Sequence, residues 1–231
     1  MELIIPAAHA VAINAEHSFR RGSVPTSHLA RFHASSNRRF TPALCSLSEV
    51  SSKGSTARDD LLDLVSDQER GLKTQKDSKK REKIIKAIDS LTVLGKDMIT
   101  TSDQSLSGTW RMLWTTEKEQ LFIIEKAPVF GTEAGDILQV IDVKAEKLNN
   151  VITFPPDGAF IVDSIIEVAS PQRVNFRFTG ASLRGSGWNI PVPPFGQGWF
   201  DSVYIDERIR VAKDIRGDYL VVDRAPYKWN G

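Results

Sequence analysis

All four histidines (His9, His17, His28, His33) and the single cysteine, Cys45, fall within the first 45 residues of a 231-residue chain. Imidazole and thiol groups supply most nucleophilic, transition-metal and proton-shuttle chemistry. After residue 45 any chemistry must rest on carboxylates, hydroxyls, lysine amines and guanidinium groups. Asp206-Glu207 is the paired-carboxylate candidate, since two acids can divide general acid and general base roles. Neighbouring strand residues point to opposite faces, so this pair suits ion pairing with Arg208 and Arg210 better than work on one substrate. Asp136 and Asp142 read as structural in the same way. Asp157-Gly158 is a turn without calcium-loop spacing around it. Gly185-Ser186-Gly187 does not match a nucleophile elbow, and no histidine follows residue 33 to activate a serine. Residues 180–187 lack the lysine of a phosphate loop. The residue types therefore predict no catalytic residue, no metal site and no cofactor. They put a binding or packing role ahead of an enzyme acting on a lipid or pigment.

The elements that would carry such a role change character along the chain. A first helix is expected over 59–70, capped by Asp59 or Asp60, with Leu61, Leu62, Leu64 and Val65 as its apolar face and Gly71 as its stop. A second starts near Asp77 or Ser78, places Ile84, Ile85, Ile88 and Leu91 at helical spacing, and ends at Gly95. Lys79, Lys80, Arg81 and Lys83 crowd its first turns, either as a contact for anionic lipid head groups or an acidic partner, or as a solvated face.

From Leu106 the period becomes two. Trp110, Met112 and Trp114 would share one strand face. Phe160 and Val162, and then Val174, Phe176 and Phe178, alternate in the same manner. Further strands are expected over 136–143, 151–154, 198–205, 208–213 and 218–223. Turn signals separate them at Asn149-Asn150, Pro155-Pro156-Asp157-Gly158, Ser170-Pro171 and Arg216-Gly217-Asp218. Short strands at this spacing, with no crossover helices between them, indicate an antiparallel barrel or sandwich. Residues 190–198 carry three prolines and are read as an apolar loop, either a flap over a barrel mouth, a tip that dips into a lipid surface, or a segment packed on its own core.

The leading 48 residues hold five Arg, no Lys and two acids, a net +3, whereas the remainder carries 25 basic and 27 acidic residues, a net −2. An Arg- and Ser-rich, acid-poor leader reads as an organelle transit peptide, plastid before mitochondrion, or as a disordered tail that stays attached. The near-balanced remainder argues against a nucleic-acid partner. No apolar run approaches the roughly 18–20 residues of a membrane helix. The expected organisation is a transit peptide or disordered segment over 1–52, a helical segment over 53–104 and a β region over 105–226.

Several stretches resemble the plastid lipid-associated protein (fibrillin) family over residues 58–224. Leu61-Leu62-Asp63-Leu64-Val65 and Glu69-Arg70-Gly71-Leu72 look like that family's first helix and its ending. Gly108-Thr109-Trp110-Arg111-Met112-Leu113-Trp114 is similar to its first strand. Asp201-Ser202-Val203-Tyr204-Ile205-Asp206-Glu207-Arg208-Ile209-Arg210-Val211 and Gly217-Asp218-Tyr219-Leu220-Val221-Val222 are similar to its closing strands. The link over 91–104 departs from the family in lacking its usual Asn-Pro.

The resemblance implies a lipocalin-like antiparallel β-barrel preceded by two helices, mainly β within an α+β chain. It also implies a chloroplast address at thylakoids or plastoglobules, or in the stroma, and binding or organising of a prenylquinone, carotenoid or acyl lipid. The partners it implies are a hydrophobic small molecule or lipid, a peripheral lipid surface or another plastid protein. Gly108-Thr109-Trp110 also looks like the Gly-x-Trp that opens a lipocalin barrel, with Arg224 or Arg210 stacked structurally on Trp110. The candidate ligand liners are Trp110, Met112, Phe160, Val162, Phe176 and Phe178, with Phe195 and Trp199 at the mouth. The alternatives are a barrel filled by its own side chains, and a scaffold protein of lipid droplets or of an isoprenoid-synthesis enzyme, without a ligand of its own.

Overall fold

The computed structural model describes residues 45–193 and 196–230. Helix α1 spans Cys45–Val65 and α2 spans Ser78–Gly95. Two short 3-10 turns join them. Glu69, Arg70 and Gly71 all take positive φ there. A Cβ on Gly71 would stand 2.3 Å from the Thr115 carbonyl oxygen, so Arg-Gly-Leu marks a left-handed turn pressed against a strand. Asp77 caps α2 by accepting from the Lys80 backbone N–H at 2.9 Å, and α2 ends at Gly95 as expected. Helix α1 starts well before Asp59, so the Asp59 or Asp60 cap expected from the sequence is helix interior. A four-residue helix, α3 (Asp103–Leu106), precedes β1 (Gly108–Thr115).

The strands that follow are β2 (Ile137–Asp142), β3 (Lys147–Phe154), β4 (Gly158–Val168), β5 (Arg173–Gly185), β6 (Trp188–Val192), β7 (Gln197–Ile205), β8 (Ile209–Asp214) and β9 (Tyr219–Arg224). Helix α4 (Lys118–Lys126) falls between β1 and β2, where the sequence pattern led us to expect no helix. The ladder runs β4-β3-β2-β1-β9-β8-β7-β5, and β4 pairs with β5 to close it. Every pairing is antiparallel. The fold is an eight-stranded antiparallel barrel preceded by helices, and closure removes the free edges an open sheet would present.

The ninth strand is an extension. The first part of β5 pairs with β7, and its second part, residues 181–185, pairs with β6. This corrects the reading of residues 190–198 as loop throughout: Ile190, Pro191 and Val192 form the end of an edge strand. Pro191 is tolerated because an edge leaves one side of the backbone unpaired. A second correction concerns Asn149-Asn150, which lies inside β3. The reversal comes earlier, at residues 143–146, where Glu146 takes φ 54°.

Two bulges divide the core. Register slips in β1 between Met112 and Trp114, and in β7 between Ser202 and Tyr204. Each extra residue flips the side chains that follow. Trp110 and Met112 face the barrel interior with Ile141, Leu148, Phe200, Leu220 and Val222. Trp114 faces outward into a second cluster with Leu61, Val65, Ile84, Ile88, Leu91, Val211 and Val221. The shared face expected for all three aromatic and Met positions therefore ends at Met112. The helical layer packs on the outer face of β1, β9, β8 and β7, and it approaches closely: a Cβ on Gly95 would lie 2.1 Å from the Val203 carbonyl oxygen. Arg58, on α1, donates to the carboxylates of Asp206 and Glu207, both at 3.1 Å.

A hollow barrel with a cationic floor and an acidic mouth

One end of the barrel is closed. Leu106, in α3, is fully buried beneath the β1 strand, and the Trp110 indole N–H donates to its carbonyl at 2.8 Å. The Arg224 guanidinium lies 4.1 Å from the Trp110 ring centre and donates to the Ser105 and Ser107 carbonyls at 2.5 and 2.9 Å. Gly108 makes room for it, with φ at +139° and a would-be Cβ only 2.6 Å from Arg224 Nη1. On the interior side, Arg210 sits 5.4 Å from the Trp110 ring and 5.3 Å from the Phe200 ring. Both arginines proposed to stack on Trp110 flank it, Arg224 more closely.

Above this floor the interior is open. A cavity of about 630 Å³ is lined by Met112, Phe160, Val162, Phe176 and Phe178, together with Ile152, Phe200, Ala212, Leu220 and Val222. Five of the sequence-derived liners therefore meet around one space, and Trp110 lies beneath it. Ala212, a small residue on an inward position, and the tilt of Phe176 against Phe178 at 5.3 Å leave the middle unfilled. Trp199 stands on the outer face, opposite Asn175, with the Arg173 guanidinium 3.6 Å from its ring. Phe195 lies outside the described residues. Gly196 and Gln197 line the cavity.

Sequence reasoning missed the polar groups of the cavity. Gln139 and Asn150 line it, and the Gln139 side-chain amide donates to Asn150 Oδ1 at 3.0 Å. Arg210 Nη2 donates to Gln139 Oε1. The available signal was a polar residue in the inward phase of β2, flanked by Ile137 and Ile141. Arg210 is fully buried, and its Nε has no acceptor. Burial, reinforced by the Arg224 charge, pulls the guanidinium down to about 9.

Helix α4 and the β8–β9 turn shape the other end, where Glu117, Glu119, Gln120, Asp214, Arg216 and Asp218 line the opening. Arg216 pairs with Glu119 at 2.8 Å and with Asp214 at 3.3 Å. Glu117 accepts from the Gln120 amide at 2.6 Å. Burial, with Asp214 next in effect, pushes its carboxyl up to about 7.

The carboxylates singled out earlier have structural partners. Asp206 accepts from the Arg208 and Ile209 backbone N–H groups at 2.8 Å each, and Asp142 accepts from the Ala145 N–H at 2.8 Å. Asp136 accepts from the Tyr227 hydroxyl. Among the described residues no three His, Cys, Asp or Glu side chains group as a metal site, and no helix is long and apolar enough to cross a membrane.

A closed antiparallel barrel with a Trp-Arg floor and a hollow apolar interior places this chain in the lipocalin-like class. The chain belongs to the PAP_fibrillin family, whose pattern matches residues 55–223. It is 69% identical over 173 residues to the probable plastid-lipid-associated protein 11, chloroplastic, of Arabidopsis thaliana, covering 75% of this chain and 81% of that protein. It is 24% identical over 192 residues to plastid-lipid-associated protein 6, chloroplastic, of the same plant, covering 70% of this chain and 67% of that protein. A third relative there, probable plastid-lipid-associated protein 12, chloroplastic, is 25% identical over 139 residues, covering 54% of this chain and 34% of that protein. No solved structure matches the chain.

Proposed function

We propose that this chain is a plastid lipid-binding protein that holds one hydrophobic molecule inside its barrel at a thylakoid or plastoglobule surface. The observation that carries this reading is the cavity of about 630 Å³ at the centre of the barrel, which falls in the range of small-molecule sites, roughly 300–1,000 Å³. A barrel packed by its own side chains would leave no such space. The plastid-lipid names of the relatives support the same role and address, as does the Arg-rich, acid-poor leader. The protein acts as a binder rather than an enzyme: the cavity offers carboxylates and guanidinium groups but no imidazole or thiol. Met112, Phe160, Val162, Phe176 and Phe178 form the ligand walls, and Trp110, Gly108 and Arg224 form the structural floor.

The test uses the full chain, delipidated, incubated with total thylakoid lipid extract and re-isolated by size exclusion. Native mass spectrometry should then show one discrete lipid at stoichiometric occupancy. A protein that returns empty overturns the reading.

One observation favours a scaffold role as the second reading. Strand β6 presents Trp188 and Ile190 about half exposed, at 47% and 49%, on the edge of the barrel extension. A protein partner that survives delipidation and is lost in Trp188→Ser would support it.

A further inference from the structure

The two ends of the cavity carry opposite charge. At the floor, Arg210 and Arg224 flank Trp110, and among the described residues no carboxylate pairs with either. Arg210 is fully buried with its Nε unpaired, one side-chain layer below the cavity: it opposes Val222, and both Val222 and Ala212, the next inward residue of β8, line the space. An uncompensated buried cation is costly, and removing the cost requires an anion or a strong acceptor nearby. Gln139 relays that charge upward. Its oxygen accepts from Arg210 and its amide donates to Asn150 Oδ1. The Asn150 amide nitrogen remains as a donor at the cavity wall, with no protein acceptor among these hydrogen bonds.

The mouth has the reverse character. Glu117, Glu119, Asp214 and Asp218 gather there around Arg216. In the low-dielectric space between, field lines run from floor to mouth. A negative head group is favoured at the floor and repelled at the opening. The walls between are mainly Phe, Val, Leu, Ile and Met side chains, with Gln197 as a further polar residue of the lining. At about 30 Å³ per small group, the volume share of a liquid water, the cavity holds roughly 20 such groups, which is one chain.

Resting on the lipid-binding reading above, we propose that the floor receives the carboxylate end of a single long-chain fatty acid, seated head-inward on Gln139 and Asn150 over Arg210, with its tail toward α4. The carboxylate supplies the counter-charge that the fold omits, so Arg210 determines which head group is bound while the aromatic walls determine how tightly the chain is held. A hydroxyl-ended chain of equal length fills the same walls and leaves the charge uncompensated.

The experiment compares palmitate with hexadecanol on the delipidated full chain at pH 8, by displacement of an apolar fluorescent dye. Wild type should prefer palmitate by tenfold or more, and Arg210→Met should lose that preference while keeping its hexadecanol affinity. Equal affinities in wild type overturn the proposal and leave the cavity reading standing. Binding of neither chain overturns both. Because Arg210→Met removes a core residue, a second measurement needs only wild type. Palmitate labelled with carbon-13 at its carboxyl is titrated in the bound state by NMR. A carboxyl that ionises at lower pH than a monomeric short-chain acid in water places the head at the floor. One that ionises at higher pH places it among the mouth carboxylates and overturns the proposal.

Discussion

The Arg224 guanidinium stacks 4.1 Å from the Trp110 ring centre, and it reaches that position over the bare Cα of Gly108. Three residues from the two ends of the β region thus form one closure. The same two side chains join β1 to β9, since Trp110 and Arg224 are register partners. Removing the guanidinium strips two carbonyls, those of Ser105 and Ser107, of their donor. Arg224→Met should lower unfolding free energy by about 2 kcal/mol, read from urea unfolding. Arg224→Lys should not restore it, because an ammonium cannot stack flat and fork to two acceptors. Gly108→Ala should cost about as much, from its positive φ and the contact with Arg224.

Trp114 separates stability from binding. It is fully buried in the helix–barrel interface, and its indole N–H donates to Thr74 Oγ1 at 3.1 Å. Trp114→Ala should cost roughly 3–5 kcal/mol in urea unfolding. Below the unfolding transition, lipid affinity should stay within about twofold, since the side chain faces away from the cavity. A variant that loses binding while folded would show that the helical layer shapes the interior.

Ala212 is a small cavity-lining residue whose register partners are Ser202 and Leu220. Ala212→Phe places a ring in empty space, so the usual penalty for overpacking, about 1–3 kcal/mol, should be largely avoided. Native mass spectrometry of this variant should show no bound lipid, with a melting temperature close to wild type.

Glu117 makes stability depend on pH. Its carboxyl is raised from the ordinary 4.5 to about 7, so between these values the folded protein holds a proton that the unfolded chain has lost. Stability should therefore fall as pH rises from about 4.5 through 7 and level off above it. Glu117→Gln should remove this slope. It should match wild type near pH 5 and exceed it at pH 8 by on the order of 1 kcal/mol, measured by urea unfolding at both pH values.

The period-two alternation of Phe160, Val162, Phe176 and Phe178 was enough to assign β strands and an inward face, because a strand with one buried side must repeat every second residue. The helical spacing of Ile84, Ile88 and Leu91 identified α2 in the same way, and Gly-x-Trp pointed to the floor. Trp114 shows where this kind of inference ends. A bulge after Met112 leaves no mark in local composition, yet it moves an indole from the barrel interior to the helix interface. Residues 190–192 show the reverse case. Their propensity favours a loop, and pairing with β5 makes them an edge strand.

Gln139 and Arg210 mark the same limit at the site. Each is visible in the sequence as a polar residue in an inward phase, but the two lie 71 positions apart, and only barrel closure brings them together. Residue types and spacing by themselves determined a helix-led antiparallel β chain, without histidine or cysteine in its later part, carrying an apolar inward face. The tertiary structure alone decided that the barrel is hollow, that Trp199 faces outward and that the cavity is cationic at its floor and acidic at its mouth. The physical reason is that volume and field are sums over many strands, and no single stretch of chain contains either.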